Sequence, residues 1–331
     1  MGTTSPPEPL RIVAEIMARH GARCTAEEFH AAVNVTFHDF ESEVYDRGHA
    51  DMWDSLPREF SLLADDCLPS DPAPSGGLRV LDIGAGTGLA SACILKTSLG
   101  SRVNSIGLLD TSPAMLRQAA KKAQNWGIPF EIHHGLISDL PAGRTYDLIV
   151  TCSVLHHVPD LADFLAQVRV HQAPRGVFIH LQDPNGDYLK DPDLQRRMAE
   201  ISRSAIPESL QRFKPKRIIG RLYREITGKQ CTDPISKTNQ ALLKSGIVAT
   251  PLTVTEIYDI TDIHVEDGLG ISIQRMKAWM PDYDCISQRS YAFFGKLAST
   301  LPSDARAVEE KMTLERALNG LHIGAAWRLR G

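Results

Sequence analysis

The sequence predicts an α/β fold: a mostly parallel, seven-stranded sheet with helices on both faces. Apolar strand patterns alternate with helical patterns of about a dozen residues over residues 78–183. Such alternation is typical of βαβ units, whose right-handed crossovers place the strands side by side in one sheet. Two late strand patterns, at 282–295 and 322–330, flank one more helical pattern and bring the predicted strands to seven.

The strands of the alternating region are expected where apolar runs meet turn residues. They are predicted at 78–84, 102–110, 129–135, 145–154 and 175–183. The helix after the first strand is predicted to end at Gly100. The helix after the second strand has Ser112 as its N-cap, Pro113 at its first position and Gly127 as its stop.

Helical patterns precede and follow the alternating region. Over residues 10–68, apolar and acidic residues recur at helical spacing, and Thr25 with Glu28 fits a capping box. Residues 69–77 are rich in Pro, Gly and Ser, which predicts a linker. The alternation stops over residues 184–251, where a basic amphipathic helical pattern predicts an insertion above the carboxyl edge of the sheet.

The composition predicts a globular chain and argues against several classes of function. The 331 residues are 43% hydrophobic and 23% charged, and the net charge of −4 gives no reason to expect nucleic-acid binding. The six cysteines form no CxxC pair, so we expect reduced thiols and no metal site. No apolar stretch approaches the roughly 18 residues of a membrane span, and we expect a cytoplasmic protein.

The stretch RVLDIGAGTGLAS, residues 79–91, places three glycines between a strand and a helix. In that context Gly84 permits a tight turn, Gly86 lets a ligand approach the main chain, and Gly88 lets the helix pack on the strand. Exposed N–H groups at a helix start favour an anionic ligand group. The turn therefore predicts a nucleotide-like ligand.

The motif D-x-G-x-G-x-G, which begins at Asp82, resembles motif I of the class I S-adenosylmethionine-dependent methyltransferases. Asp110 ends the second strand in GLLDTSPAML, at the position of that family's ribose-binding acidic residue. The segment YDLIVTCSVLHHVPD resembles the fourth strand of the small-molecule branch, and QAPRGVFIH resembles the turn before strand five. The resemblance covers about residues 75–183 and implies a Rossmann-like fold with S-adenosyl-L-methionine as cofactor.

The resemblance assigns cofactor contacts to particular residues. It implies that the glycine turn cradles the methionine end, that Asp82 holds the amino group, and that the Asp110 carboxylate grips both ribose hydroxyls. The full set that it implies is Asp82, Gly84, Ala85, Gly86, Gly88, Asp110, Thr111, Met115, Leu136, Ile137, Thr151 and Cys152.

One position departs from the family pattern. Where the family has Gly-Asp-Ala after the third strand, this chain has Leu136 and Ile137. The Asp of the family accepts from the adenine amine. In this chain the backbone N–H of Ile137 can still donate a hydrogen bond to the adenine ring, and Ser138 or Asp139 can replace the missing carboxylate.

Polar residues after strands four and five are the candidates for catalysis. In open sheets of this kind, ligands bind beyond the carboxyl ends of the strands, and His156, His180 and Asp183 lie there in the predicted fold. Each has an alternative, structural role: cofactor packing for His156, a satisfied strand residue for His180, and a turn former for Asp183. A metal site built from His133, His134, His264 and Asp183 lacks ligand spacing.

The N-terminal helices are predicted to control access to the site. Tyr45, His49 and Trp53 recur at four-residue steps, which places them on one helical face. In related methyltransferases such a segment folds over the cofactor as a lid, and we assign these residues and Ser153 to the acceptor side. The alternative is a plain packing stripe.

The run RFKPKRIIGRLYR, residues 212–224, is rich in Lys and Arg. It fits either a solvated helix face or a dock for an anionic substrate, a carrier-protein phosphopantetheine or a lipid head group. The sequence does not indicate an oligomeric state.

These observations predict an S-adenosylmethionine-dependent methyltransferase acting on a small or medium-sized organic acceptor. Its units are an N-terminal helical lid (1–70), a cofactor-binding core (71–185), a helical insertion (186–250) and a C-terminal completion of the sheet (251–331). Two alternatives stay open: an NAD-binding oxidoreductase, which the G-x-G-x-G spacing disfavours, and a non-catalytic or non-methylating protein that kept the fold.

Overall fold

A seven-stranded sheet dominates the part of the chain that the computed structural model describes: residues 8–67, 76–194, 196, 197, 199, 234–263 and 270–331. Its strands are β1 (Leu78–Ile83), β2 (Val103–Asp110), β3 (Phe130–His134), β4 (Tyr146–Cys152), β5 (Gln172–Pro184), β6 (Tyr283–Tyr291) and β7 (His322–Leu329). Their order is β3-β2-β1-β4-β5-β7-β6, and only β7 runs antiparallel to both of its neighbours. The predicted Rossmann-like α/β fold is confirmed.

Helices cover both faces of this sheet and form a separate layer at its edge. They are α1 (Arg11–Arg19), α2 (Ala26–Glu41), α3 (Tyr45–Gly48), α4 (Ala50–Cys67), α5 (Leu89–Leu95), α6 (Pro113–Ala123), α7 (Leu161–Val170), α8 (Pro234–Lys244), α9 (Val254–Thr261), α10 (Ile273–Trp279) and α11 (Ser303–Leu314). No described helix is both long and apolar enough to cross a bilayer.

Successive residues of the parallel strands point to opposite faces, which gives the sheet two apolar cores. In β1, Val80 packs in a core with α4, α5 and α6, whereas Leu81 packs in a second core with α7 and α10. Both side chains are fully buried. A strand segment buried on both faces needs apolar residues at every position, which is why the buried part of β1, residues 80–83, is apolar except for Asp82.

The N-terminal region contributes to two different cores. Leu56, Phe60 and Leu63 of α4 pack on the sheet. Residues of α1 and α2, such as Phe29 and Val33, instead form a third core with α8 and α9. We call α1, α2, α8 and α9 together the roof layer.

Local sequence signals correctly predicted where two helices begin, but one predicted helix end was wrong. The capping box of Thr25 with Glu28 is present, and the Ser112 hydroxyl accepts from the Met115 amide as an N-cap. The helix predicted to end at Gly100 stops at Leu95, because Gly100 opens a short 3₁₀ turn. The basic run 212–224, and with it most of the predicted insertion, lies outside the described residues.

Replacing Trp327 tests the core below β7. The side chain is fully buried, and its Nε1 has no hydrogen-bond partner within the described residues. We expect Trp327→Ala to lower the free energy of unfolding by about 3–5 kcal/mol, because it leaves a cavity. Trp327→Phe removes no hydrogen bond, so urea denaturation should show a much smaller loss; equal losses for the two variants would contradict this account.

Candidate functional site

A cavity of about 520 Å³ opens at the carboxyl ends of β1, β2 and β4, between the sheet and the roof layer. Its floor comes from the turns that follow these strands, and its opposite wall comes from α2. Pockets of this size and position are typical of ligand sites in open α/β sheets. The polar lining residues that matter below are Asn34, His38, Tyr45, Asp110, Ser153 and His157.

The glycine turn after β1 leaves bare main chain on the cavity floor. Gly84, Gly86 and Gly88 have φ angles of 64°, 52° and 87°, which are strained for other residues. A Cβ on Gly84 would lie 2.5 Å from the Val154 side chain. A Cβ on Gly86 would have only the Gly84 carbonyl oxygen nearby, at 3.9 Å, so Gly86 borders open space that a ligand could fill.

The Asp110 carboxylate connects this turn to the next one. One oxygen accepts from the Gly86 amide at 2.8 Å, and the other accepts from the Ser112 amide at 2.8 Å. Burial raises the pKa of Asp110, while these two amides oppose the rise. Each carboxylate oxygen can accept a further hydrogen bond, so the two oxygens fit a vicinal pair of ligand hydroxyls such as those of a ribose.

The structure brings most of the predicted cofactor residues to the cavity wall. Those lining it are Gly84, Gly86, Asp110, Thr111, Met115, Leu136, Ile137 and Cys152. The others, Asp82, Ala85, Gly88 and Thr151, do not line it. Leu136 and Ile137 give the wall an apolar surface at the position where the family carries its acidic residue, and the Asp139 carboxylate accepts from the Leu136 amide at 2.8 Å.

Asp82 lies behind the glycine turn. It is fully buried, and its Oδ2 accepts from the Ser91 hydroxyl at 2.6 Å and from the Ser91 amide at 3.0 Å. Burial raises the pKa of Asp82 to about 7. In this geometry its side chain links β1 to α5.

The predicted catalytic residues are together, but they lie beneath the cavity. Nδ1 of His156 is 2.9 Å from Oδ1 of Asp183, and Nδ1 of His180 is 3.7 Å from Oδ2. His180 and Asp183 are fully buried. Burial alone would raise the pKa of Asp183, but His156 and His180 lower it to about 2. Within the described chain, the cavity wall carries His157 in their place.

The predicted lid residues lie across a junction between two helices. Helix α3 ends at Gly48 and α4 begins at Ala50, so the four-residue steps from Tyr45 to Trp53 cross this junction at His49. The rings of Tyr45 and His49 remain in contact, with their centres 4.4 Å apart. Tyr45 and Ser153 line the cavity. Trp53 instead donates to Asp46 at 3.1 Å, with the Lys122 ammonium 4.2 Å from its ring centre, and Nε2 of His49 lies 3.5 Å from Glu41.

Sequence reasoning missed the polar face of α2. His30, Asn34 and His38 line the cavity at four-residue steps, a spacing that would have revealed the face had α2 been searched for it. Nδ1 of His38 lies 3.3 Å from Oε2 of Glu41. Burial lowers the pKa of His38, but the contact with Glu41 and the charges of Asp110 and Asp262 outweigh it and raise the pKa.

Helix α2 is also fixed to the floor of the site. Oδ1 of Asp39 accepts from the Ser112 hydroxyl at 2.5 Å and from the Ala114 amide at 3.2 Å. Asp39 thus adds a carboxylate at the start of α6, where the helix dipole favours negative charge. The same loop is held by Asp110 from the other side.

Residues 81–178, less than a third of the chain, match the family described as "Methyltransferase domain". The match includes the glycine turn after β1 and Asp110, whose carboxylate accepts from the Gly86 and Ser112 amides. These residues resemble a class I S-adenosylmethionine-dependent methyltransferase domain. The cavity fits this cofactor, because the space beside Gly86 admits a ligand and Asp110 offers two acceptors beside it.

Relatives of the methyltransferase domain occur in two kinds of protein. A "Ubiquinone biosynthesis O-methyltransferase" of Methylobacterium sp. (strain 4-46) is 35% identical over 111 residues, which are 33% of this chain and 43% of that protein. The "Highly reducing polyketide synthase pspA" of Penicillium soppii is 37% identical over 107 residues, 30% of this chain and 4% of that protein. The chain thus spans less than half the length of these curated relatives.

Solved structures also resemble the chain. The plantazolicin methyltransferase BpumL in complex with SAH covers 97% of this chain and 100% of its own, with 13% identity and a TM-score of 0.45. The DhpI–SAH complex covers 49% of this chain and 72% of its own, with 20% identity and a TM-score of 0.38.

Gly86→Ala tests the position of the ligand. The added methyl group would meet no protein atom closer than 3.9 Å, so its cost to the fold is the backbone strain of about 1–2 kcal/mol. We expect calorimetry to show loss of S-adenosylhomocysteine binding with a small change in melting temperature. Gly84→Ala, which collides with Val154, is the comparison and should lose more stability. Unchanged binding in Gly86→Ala would contradict the placement.

Glu41→Gln tests the origin of the His38 pKa. The pKa of His38 is raised above its ordinary 6.5, so the contact stabilises the fold fully below that value and its contribution is lost as pH rises through the folded-state pKa. We expect the variant to lower the His38 pKa in an NMR titration. The loss of unfolding free energy that Glu41→Gln shows in urea denaturation should become smaller as pH rises. A His38 pKa that stays raised in the variant would exclude Glu41 as the cause.

Proposed function

We propose that this chain methylates a hydroxyl oxygen of a small or medium-sized organic acceptor, using S-adenosylmethionine. The observation that carries the proposal is the Asp110 carboxylate, whose two oxygens border the cavity beside the bare backbone of Gly86. The choice of oxygen is supported by the printed names of the relatives, several of which are ubiquinone biosynthesis O-methyltransferases. An enclosed cavity fits a small acceptor better than a macromolecule.

When bound, S-adenosylmethionine supplies an electrophilic methyl group on a sulfonium sulfur. The residues of this chain have the tasks of binding, alignment and exclusion of water, which can together contribute about 7–11 kcal/mol at best. Asp110 would hold the ribose, and Met115, Leu136 and Ile137 would form the apolar wall beside the adenine ring.

The α2 side of the cavity would receive the acceptor. His38, oriented by the Glu41 carboxylate, would take the proton of the acceptor hydroxyl through its other ring nitrogen. Tyr45, at the start of α3, and Ser153, in the turn that follows β4, would contact the acceptor. His156, with Asp183 behind it, would act as a positioning pair, because both lie beneath the cavity wall.

In this proposal the roof layer is the lid of the site. Because α1 and α2 share an apolar core with α8 and α9, the N-terminal helices and residues 234–261 would cover the site as one unit. Helix α4 would belong to the sheet, since its apolar side packs in the sheet core.

Two measurements test the proposed function. Calorimetry should show that the chain binds S-adenosylhomocysteine and not NADH, which separates a methyltransferase from an oxidoreductase of similar fold. A panel of phenolic and catecholic acceptors with methyl-labelled S-adenosylmethionine should yield an O-methylated product. Binding of NADH alone would overturn the proposal, and cofactor binding with methylation of only carbon or nitrogen would overturn the choice of oxygen.

Asp110→Asn isolates the ribose contact. The amide keeps the shape of the side chain but loses one acceptor and the charge, and hydrogen bonds to charged groups contribute about 1.5–3 kcal/mol. The dissociation constant for S-adenosylhomocysteine should therefore rise roughly 10- to 100-fold. Asp304→Asn, an exposed carboxylate in the first turn of α11, is the matched control. Equal affinity of the two variants would remove Asp110 from the site.

A further inference from the structure

Two histidines and a carboxylate converge at the edge of the cavity. One ring nitrogen each of His156 and His157 and one carboxylate oxygen of Asp262 lie within 4.8 Å of one another. Nδ1 of His157 is 3.3 Å from Oδ1 of Asp262, and Nε2 of His156 is 3.9 Å from the same oxygen. The histidines follow β4, whereas Asp262 follows α9, so only the fold joins them.

We propose that His156, His157 and Asp262 bind a divalent transition metal ion, with Zn²⁺ as the ion to test first. Ligand atoms about 2.0–2.2 Å from a shared zinc ion lie between three and four ångströms apart, as the two measured separations do. Two imidazoles and one carboxylate suit Zn²⁺ and related ions, whereas Mg²⁺ and Ca²⁺ prefer sets of oxygen ligands. The sequence did not predict this site, because neighbouring histidines without further ligand spacing do not reveal a distant carboxylate.

The surroundings of His156 support this assignment. With its Nε2 directed to the metal, its Nδ1 is held by Asp183 at 2.9 Å. A carboxylate behind a ligating histidine fixes the ring and raises its basicity. The Asp183 carboxylate is fully buried, and its Oδ2 has no hydrogen-bond partner among the described residues. A metal cation on the far side of His156 would offset this buried negative charge.

The hydrogen bond that His157 makes in the metal-free chain is one that a metal ion would replace. Its Nδ1 lies 2.8 Å from the Thr261 carbonyl oxygen, so in the metal-free chain the Nδ1–H donates to that oxygen. Metal binding at Nδ1 would replace this proton and release it to solvent, as metal binding to histidine generally requires.

The position of the site gives the metal a role, and this role rests on the proposed function. His157 lines the cavity, so a three-ligand metal would keep an open position on the acceptor side, as catalytic zinc sites do. A hydroxyl bound there loses its proton more readily. The preferred acceptor would be one whose oxygens can bind a metal ion, such as a catechol.

The test uses metal-free full-length chain and adds Zn²⁺ in a calorimeter and Co²⁺ in an absorption spectrometer. We expect one ion per chain, visible Co²⁺ bands of a nitrogen and oxygen site, and a rise in melting temperature on adding Zn²⁺. Asp262→Asn should lose all three responses, and Asp304→Asn should keep them. Asp183→Asn, a positioning variant, should weaken Zn²⁺ binding by about 10- to 100-fold.

Equal Zn²⁺ affinity in the wild type and Asp262→Asn would overturn the site, as would the absence of binding in the wild type. The Asp262 side chain is about one-third exposed, so this variant is expected to fold; circular dichroism checks it, and His157→Gln is the second variant. S-adenosylhomocysteine binding is measured in the same samples. Cofactor binding without Zn²⁺ binding rejects the metal site alone, and Zn²⁺ binding without cofactor binding rejects the proposed function alone.

Discussion

The Asp110 carboxylate is the contact on which the geometry of the site depends. Its two oxygens hold the Gly86 amide and the Ser112 amide, so one side chain fixes the turns after two adjacent strands. Asp39 continues the connection from α2 to the same loop. A chain of carboxylate contacts therefore sets the distance between the floor of the cavity and its opposite wall.

The sequence predicted the floor well because its signals are local. Turn glycines, a capping serine and alternating strands each depend on residues within one or two turns, and the φ angles of Gly84, Gly86 and Gly88 bear out the special backbone. Ser112 caps α6 as predicted. The mostly parallel sheet also follows from the alternation of strands and helices, since βαβ units have right-handed crossovers, whereas the strand order was not predicted.

The cavity wall that α2 forms was harder to predict, because its position depends on packing between segments that are distant in the sequence. The spacing of Tyr45, His49 and Trp53 suggested one helical face, but the junction between α3 and α4 interrupts it, and of the three only Tyr45 lines the cavity. His38 and Asp262 reach the site only because α2 packs against α9 in a shared core. No pattern within a single segment contains that information. The burial of His156, His180 and Asp183 likewise depends on the register of β5 against its neighbours.

The separate core of the roof layer has a consequence for how this protein could change its ligand selectivity. The inward residues of α2 belong to a layer whose apolar core is distinct from both cores of the sheet. Substitutions at positions 30, 34 and 38 would thus change the side chains at the cavity wall without disturbing the packing of the strands beneath it. Natural divergence or a directed library confined to one helix could therefore vary the ligand that the proposed site accepts while the sheet retains its stability.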